Sequence, residues 1–219
     1  GIEPRAIDRE VSCAMHMTHM GNTSKPEALI RQALRNGLSD GWGGSMCGTE
    51  FSDVLFGTPK PIDTEANLGV MVAENVNIVV HGHDPSLSEM ICEYADSKEM
   101  IDYAKSMGAK GITVSGVCCT SNEVAMRRGI PMAGNFLQQE NVVLTGACEA
   151  IVVDVQCIFP ALGPLSKCFH TKFITTSPIC QMPDSDFIEF DSSNAGETAK
   201  NIVELACENF KNRKPELVH

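Results

Sequence analysis

The sequence predicts an α/β fold: a parallel sheet with helices on both faces, preceded by a short helical segment. Three observations predict it. Short apolar runs rich in β-branched residues recur between residues 76 and 176, as strands buried on both faces require. Helical patterns with caps and glycine stops separate those runs, so strand and helix alternate. Residues 1 to about 70 lack such runs and read as helical and irregular.

In the first region, Ser24-Lys25-Pro26 opens a helix with a capping residue and an early proline. Ala28, Leu29, Ala33 and Leu34 recur at helical spacing, and Gly37 is expected to stop it. A glycine-rich loop, Asp40-Gly41-Trp42-Gly43-Gly44-Ser45, should follow, then an apolar segment from Phe51 to Phe56 that ends at Gly57-Thr58-Pro59. From about Asn75 the pattern changes. Val76 to Val80 reads as a buried strand, and Ser86 to Met107 as one helix capped by Ser86 and closed by Gly108. A strand is expected over 111–117, a helix over 122–128, a helix over 138–145 and a strand over 150–155. A short helix around 162–168, a strand over 172–176 and an amphipathic helix over 195–211 complete the pattern. No internal repeat or low-complexity tract is visible.

The composition narrows the function. Lys+Arg number 17 against 28 Asp+Glu, a net charge of −11, and no basic patch stands out to meet a phosphate backbone, so nucleic acid is a poor partner. No apolar run reaches membrane-spanning length, and no secretory leader is seen. The chain starts at Gly1 and ends in a polar stub, which reads as a piece of something longer. Ten cysteines are many, but most lie inside apolar runs of a chain large enough to build a core. They read as reduced thiols of a cytoplasmic protein.

In an open parallel sheet, ligands bind beyond the carboxyl ends of the strands. The first strand is followed by His81-Gly82-His83-Asp84-Pro85, the second by Cys118-Cys119-Thr120, and the third by Gln156-Cys157. Three successive strands thus deliver histidine and cysteine to one edge. Thiolate with imidazole suits iron–sulfur clusters, zinc, copper or nickel, and excludes magnesium or calcium. No C-x-x-C spacing is present, and His83, Cys119 and Cys157 are 36 and 38 residues apart, wider than a zinc knuckle uses.

Each residue alone has a blander reading. A histidine after a strand is commonly a hydrogen-bonded loop residue, and a cysteine in an apolar run a small core residue. Cys13, Cys47, Cys92, Cys148, Cys168, Cys180 and Cys207 are assigned to that class, and His16 and His19 to a solvated face. Strand alternation puts Cys118 and Cys119 on opposite faces, against both serving one metal. No phosphate loop, dinucleotide fingerprint or nucleophile elbow occurs.

Taken together, several stretches resemble the anaerobic nickel-dependent carbon monoxide dehydrogenases. They include Val79 to Pro85, Gly116 to Val124, Arg128 to Pro131, Leu144 to Ala147 and Val153 to Cys157. Upstream, Thr18 to Gly21, Asp40 to Met46 and Phe56 to Pro61 continue the resemblance over nearly the whole chain.

The resemblance implies that residues 1–70 are the end of a helical domain and 71–219 a Rossmann-like cluster-binding domain. It implies a parent enzyme, a homodimer, that converts carbon monoxide and water to carbon dioxide, two protons and two electrons. By motif, His83 and Cys119 would hold the iron outside the cubane of a nickel–iron–sulfur cluster, and Cys157 a cubane iron; His81 and Cys118 are not ligands in that family. Nickel would bind carbon monoxide, the outer iron would activate water, and the cubane would take the electrons.

It further implies three more cluster cysteines beyond residue 219, [4Fe–4S] clusters bound outside this chain, and an acid–base histidine and lysine elsewhere. The isolated chain would then be inactive. A ferredoxin-like acceptor and an acetyl-CoA synthase subunit are the partners it suggests. Ser121 departs from the pattern, standing where glycine is common. Two other readings stay open: a hybrid-cluster protein related to hydroxylamine reductases, and a non-catalytic Rossmann-like module with structural cysteines.

Overall fold

The β-branched run after Asn75 forms β1 (Val76–His81), buried along its whole length. In the computed structural model, which describes residues 1–219, β1 is joined by β2 (Ile112–Val117), β3 (Met132–Gly134), β4 (Ala150–Val153), β5 (Lys172–Thr175) and β6 (Asp186–Phe187). Every pairing is parallel, and the strand order is β3-β2-β1-β4-β5-β6. The winding direction reverses between β1 and β4. The connections beyond those two strands leave in opposite directions, so a crevice opens at their carboxyl ends.

Alternation along the strands divides the core. Ile78, Val80, Val152 and Ile174 face one side, where α4 (Pro85–Ala95), α5 (Lys98–Ser106), α6 (Cys119–Arg128) and α9 (Ala195–Asn209) supply Ile91, Met100, Val124 and Ile202. Val79, Ile151, Val153 and Phe173 face the other, against α7 (Gln139–Leu144) and α8 (Leu162–Ser166), which supply Val142 and Leu162. Helices therefore cover both faces, as the strand pattern requires. These elements belong to a compact unit, Pro59–His219; a second unit comprises Gly1–Thr58.

The predicted helix over 86–107 is two. Asp84, not Ser86, caps α4, its side chain accepting from Ser86 N at 2.9 Å. Ser97 then caps α5 by accepting from Met100 N, which interrupts the helical ladder after Ala95. Such caps compete with continuation because the hydroxyl or carboxylate meets backbone N–H groups that a new helix start leaves open.

At the other end of the sheet, Glu149 is fully buried and fixes the final segment. It accepts from Asn77 N at 2.6 Å, Arg213 Nε at 2.7 Å and Arg213 Nη2 at 2.6 Å, and is 2.9 Å from His170 Nε2.

The unit Gly1–Thr58 contains α1 (Ile7–Met17), α2 (Pro26–Asp40) and α3 (Gly48–Phe56). Gly37 does not stop α2, and the expected glycine-rich loop is a π-helical stretch, Gly41–Cys47, that joins α2 to α3. Glycine here serves close approach instead of a turn: a Cβ on Gly43 would lie 2.2 Å from Ile7 Cδ1 of α1. The buried residues of this unit are polar, namely Glu10, Gln32, Ser39 and Ser52. Arg5 donates to Glu10 from Nε and Nη2, both at 2.7 Å. Leu29, Ile30, Leu34, Leu38 and Trp42 are exposed, so the unit presents an uncovered apolar face. No helix of the protein is long and apolar enough to cross a membrane.

Candidate metal centre

Three loops leave the carboxyl ends of β1, β2 and β4 and meet in the crevice. β1 ends at His81, and Gly82 turns the chain with φ +126. A Cβ there would lie 1.9 Å from Asp154 Oδ1, so only glycine admits the approach that follows. Asp154, directly after β4, is buried and accepts three backbone N–H groups. His83 N donates to Oδ1 at 2.5 Å, Asp84 N to Oδ2 at 2.8 Å, and Val155 N to Oδ1. Burial raises its carboxyl above the ordinary carboxylate range, and the three N–H donors oppose that rise. One side chain therefore ties the loop bearing His83 to the loop bearing Cys157.

The His83 ring is fixed as well. Its Nδ1 lies 3.0 Å from Val155 O. A carbonyl only accepts, so Nδ1 carries a proton, and in the neutral ring the lone pair is on Nε2. That is the tautomer a metal-binding imidazole needs, with the other nitrogen held by a backbone carbonyl.

The β2 loop is latched to the β1 loop, because Thr120 N donates to Gly82 O at 2.9 Å and Thr120 Oγ1 to Asp84 O at 3.1 Å. Strand alternation does not govern Cys118 and Cys119, because β2 ends at Val117. Cys118 takes φ 74 and ψ −157, and Cys119 begins α6. Their sulfurs are 4.0 Å apart, and each lies within 4.8 Å of the other and of a His83 ring nitrogen. Ser121 Oγ and Asn122 Nδ2 hold the strained residue by donating to Cys118 O at 2.8 and 3.0 Å.

Cys157 is exposed and is not among the three side chains that meet within 4.8 Å, though it is near enough to act on the Cys118 thiol. Burial first, then the neighbouring Cys119 and Cys157 thiols, push Cys118 up to about 12.

Four residues other than glycine have positive φ, and three of them, Cys118, Gln156 and Cys157, are in these loops. Each such residue costs about 1–3 kcal/mol and persists where its surroundings over-determine it. The strain is therefore concentrated at the crevice.

Sequence reasoning passes over two supports. Asp154 reads from sequence as part of a strand over 150–155, but the strand ends at Val153. A carboxylate at the end of so apolar a run is a signal, since buried charges need partners. Gln139 is fully buried at the start of α7 and binds four groups around the crevice. Its Oε1 takes His81 Nε2 at 3.1 Å and Phe159 N at 2.9 Å; its Nε2 donates to Cys157 O at 2.9 Å and Phe136 O at 2.5 Å. Burial lowers the pKa of His81, so the ring is neutral and donates from Nε2.

The donor set suits a metal–sulfur group. Imidazole nitrogen and thiol sulfurs converge, and every cysteine is free of disulfide. Beside Cys118 and Cys119 lies a cavity of about 490 Å³, walled by Asn122, Met132, Phe136 and Gln138, with space for more than a single ion.

The chain matches the Prismane/CO dehydrogenase family over residues 1–219. It is 54% identical over 219 residues to carbon monoxide dehydrogenase 1 of Methanosarcina mazei, covering 100% of this chain and 35% of that protein. It is 44% identical over 213 residues to the carbon monoxide dehydrogenase/acetyl-CoA synthase subunit beta of Moorella thermoacetica, covering 97% of this chain and 31% of that subunit. The nickel-free carbon monoxide dehydrogenase of Thermococcus sp. AM4 superposes with a TM-score of 0.97 at 54% identity, over 100% of this chain and 35% of that one. The chain thus spans about a third of the length of these relatives.

Proposed function

Because the chain belongs to the Prismane/CO dehydrogenase family, we propose that it is the cluster-binding centre of a carbon monoxide dehydrogenase and works within a longer polypeptide. The reaction is CO + H2O → CO2 + 2 H⁺ + 2 e⁻. His83, Cys119 and Cys157 would hold part of a nickel–iron–sulfur cluster. When bound, that group supplies a Lewis acid for carbon monoxide, activates water and accepts two electrons.

The chain's own residues prepare the place. Val155 O keeps the His83 proton on Nδ1 and leaves Nε2 free for metal. Asp154 holds the backbone of the His83 loop by accepting from the N–H groups of His83, Asp84 and Val155. The observation that carries the reading is the meeting of the His83 imidazole, after β1, with the neighbouring Cys118 and Cys119 thiols, after β2, within 4.8 Å. The uncovered apolar face of Gly1–Thr58 supports a longer polypeptide, since such a face is ordinarily packed.

The remaining ligands and the proton-transfer groups lie outside this chain in this reading, so the isolated 219 residues would not oxidise carbon monoxide. A cytoplasmic location, a second copy of the chain, a ferredoxin-like acceptor, and an acetyl-CoA synthase subunit of the kind named with the Moorella relative belong to the same proposal.

The test is anaerobic production of the full-length protein with nickel and iron, followed by metal analysis and carbon monoxide oxidation with a low-potential dye. His83→Ala, Cys119→Ser and Cys157→Ser should each lose nickel and activity. Unchanged metal content in all three would refute the assignment. Iron without nickel in the active parent would favour the hybrid-cluster reading.

A further inference from the structure

Cys157 occupies an unusual place among the crevice cysteines. It follows Gln156, and both residues are left-handed, with φ 65 and 57. No glycine eases the turn, and the thiol is exposed, so packing does not hold it. Val155 is held on the amino side of this turn, and what grips its carboxyl side is one amide. Gln139 Nε2 donates to Cys157 O, and two residues further on Phe159 N donates to Gln139 Oε1. The amide therefore brackets Cys157 on its carboxyl side. Its other two bonds reach His81, at the end of the strand that leads to His83, and Phe136 O, in the wall of the cavity beside Cys119.

Three backbone partners also fix the orientation of the amide. Phe159 N only donates, and the carbonyls of Cys157 and Phe136 only accept, so Oε1 and Nε2 cannot be exchanged. Both donors and both acceptor positions are used. A side chain so fully committed, and buried, has one arrangement.

We propose that Gln139 is the positioning residue that sets Cys157, and through His81 and Phe136 the crevice around it, for the metal group. The inference rests on the reading of Cys157 as a ligand. Gln139 touches no metal or substrate. It acts by making the strained 156–157 turn the single conformation of the loop, so that the sulfur is placed before metal arrives. Changing its amide to a carboxylate alters little in size. It keeps the acceptors for His81 and Phe159, but turns both donors into lone pairs facing the carbonyls of Cys157 and Phe136.

The experiment compares four variants of the full-length protein, produced anaerobically with nickel. Gln139→Glu removes the grip on Cys157. Gln139→Asn keeps the donor and acceptor but shortens the reach by one methylene. Val142→Ala loosens packing in the same helix while leaving every hydrogen bond of the Gln139 side chain in place, and Cys157→Ser removes the ligand. Three quantities are read: nickel retained against a chelator, the electron paramagnetic resonance spectrum of the reduced protein, and thermal unfolding of the metal-free form.

Gln139→Glu and Gln139→Asn should release nickel about 10- to 100-fold more readily, as loss of an outer-shell partner does, with a shifted spectrum. Val142→Ala should unfold at a lower temperature yet keep both the nickel and the spectrum. If both Gln139 variants match Val142→Ala, losing stability alone, Gln139 is only a packing residue and the inference fails. If Gln139→Glu does not fold, Gln139→Asn decides. If Cys157→Ser itself keeps nickel and the parent spectrum, the ligand reading is wrong and the inference falls with it. If Cys157→Ser loses nickel while both Gln139 variants keep it, only the positioning role is overturned.

Discussion

Replacing Asp154 by asparagine isolates the side chain that joins two of the crevice loops. The amide keeps one carbonyl oxygen, enough for His83 N and Val155 N, which share Oδ1. It puts an NH₂ group where Oδ2 accepts from Asp84 N at 2.8 Å. A hydrogen bond to a charged group contributes about 1.5–3 kcal/mol, and an unmet buried N–H costs about 1–3 kcal/mol. Burial already disfavours the ionised carboxylate, which offsets part of that loss. The expected destabilisation is therefore near the lower end, about 2 kcal/mol. For a chain of this size that lowers the unfolding temperature by about 4–8 °C.

The site should suffer with the fold. Asp84 N anchors the residue next to His83, so iron and nickel retention in the full-length protein should fall about tenfold or more. Circular dichroism melts of the 219-residue chain and metal analysis of the parent measure the two effects. An Asp154→Asn protein that melts within about 1 °C of the parent and keeps its metal would refute the reasoning, because the loops would then be held without this carboxylate.

Three other outcomes follow from the same geometry. Gly82→Ala should destabilise the protein by at least about 3 kcal/mol, since the added Cβ meets Asp154 Oδ1 at 1.9 Å with φ at +126; denaturant titration reads the loss. Arg213→Met should cost about 3–5 kcal/mol, because it leaves the buried Glu149 carboxylate without its cation, and thermal melts read it. Glu10 provides a pH test. The Arg5 side chain holds its carboxyl well below the ordinary value of 4.5, so its folded value is depressed. The stabilisation is then present above pH 4.5 and lost as the pH falls further. Glu10→Gln should flatten the acid limb of stability against pH; an unchanged limb would contradict the ion pair.

The sheet was legible in the sequence where strands are long and buried. β1, β2, β4 and β5 are rich in β-branched residues and mostly buried along their length, as strands covered on both faces are. β3 and β6 were not legible, because Met132-Ala133-Gly134 and Asp186-Phe187 are too short to carry a period. The glycine-rich stretch at 41–47 misleads for a different reason: glycine there answers to the nearness of α1 and not to a turn.

The same division applies to the site. His83, Cys119 and Cys157 stand out because chemistry-bearing residues at strand ends are visible along a chain. Asp154 and Gln139 do not, because their work is done on backbone groups far away in sequence. Nor does the approach of Cys118 to Cys119, which depends on a positive φ just past the last residue of β2.

The most direct measurement is anomalous scattering at the iron and nickel absorption edges from anaerobic crystals of the full-length protein. An iron peak is expected beside His83 Nε2 and Cys119 Sγ, a second beside Cys157 Sγ, and a nickel peak in the same crevice. Metal peaks remote from all three side chains, with none at the carboxyl ends of β1, β2 and β4, would contradict that expectation.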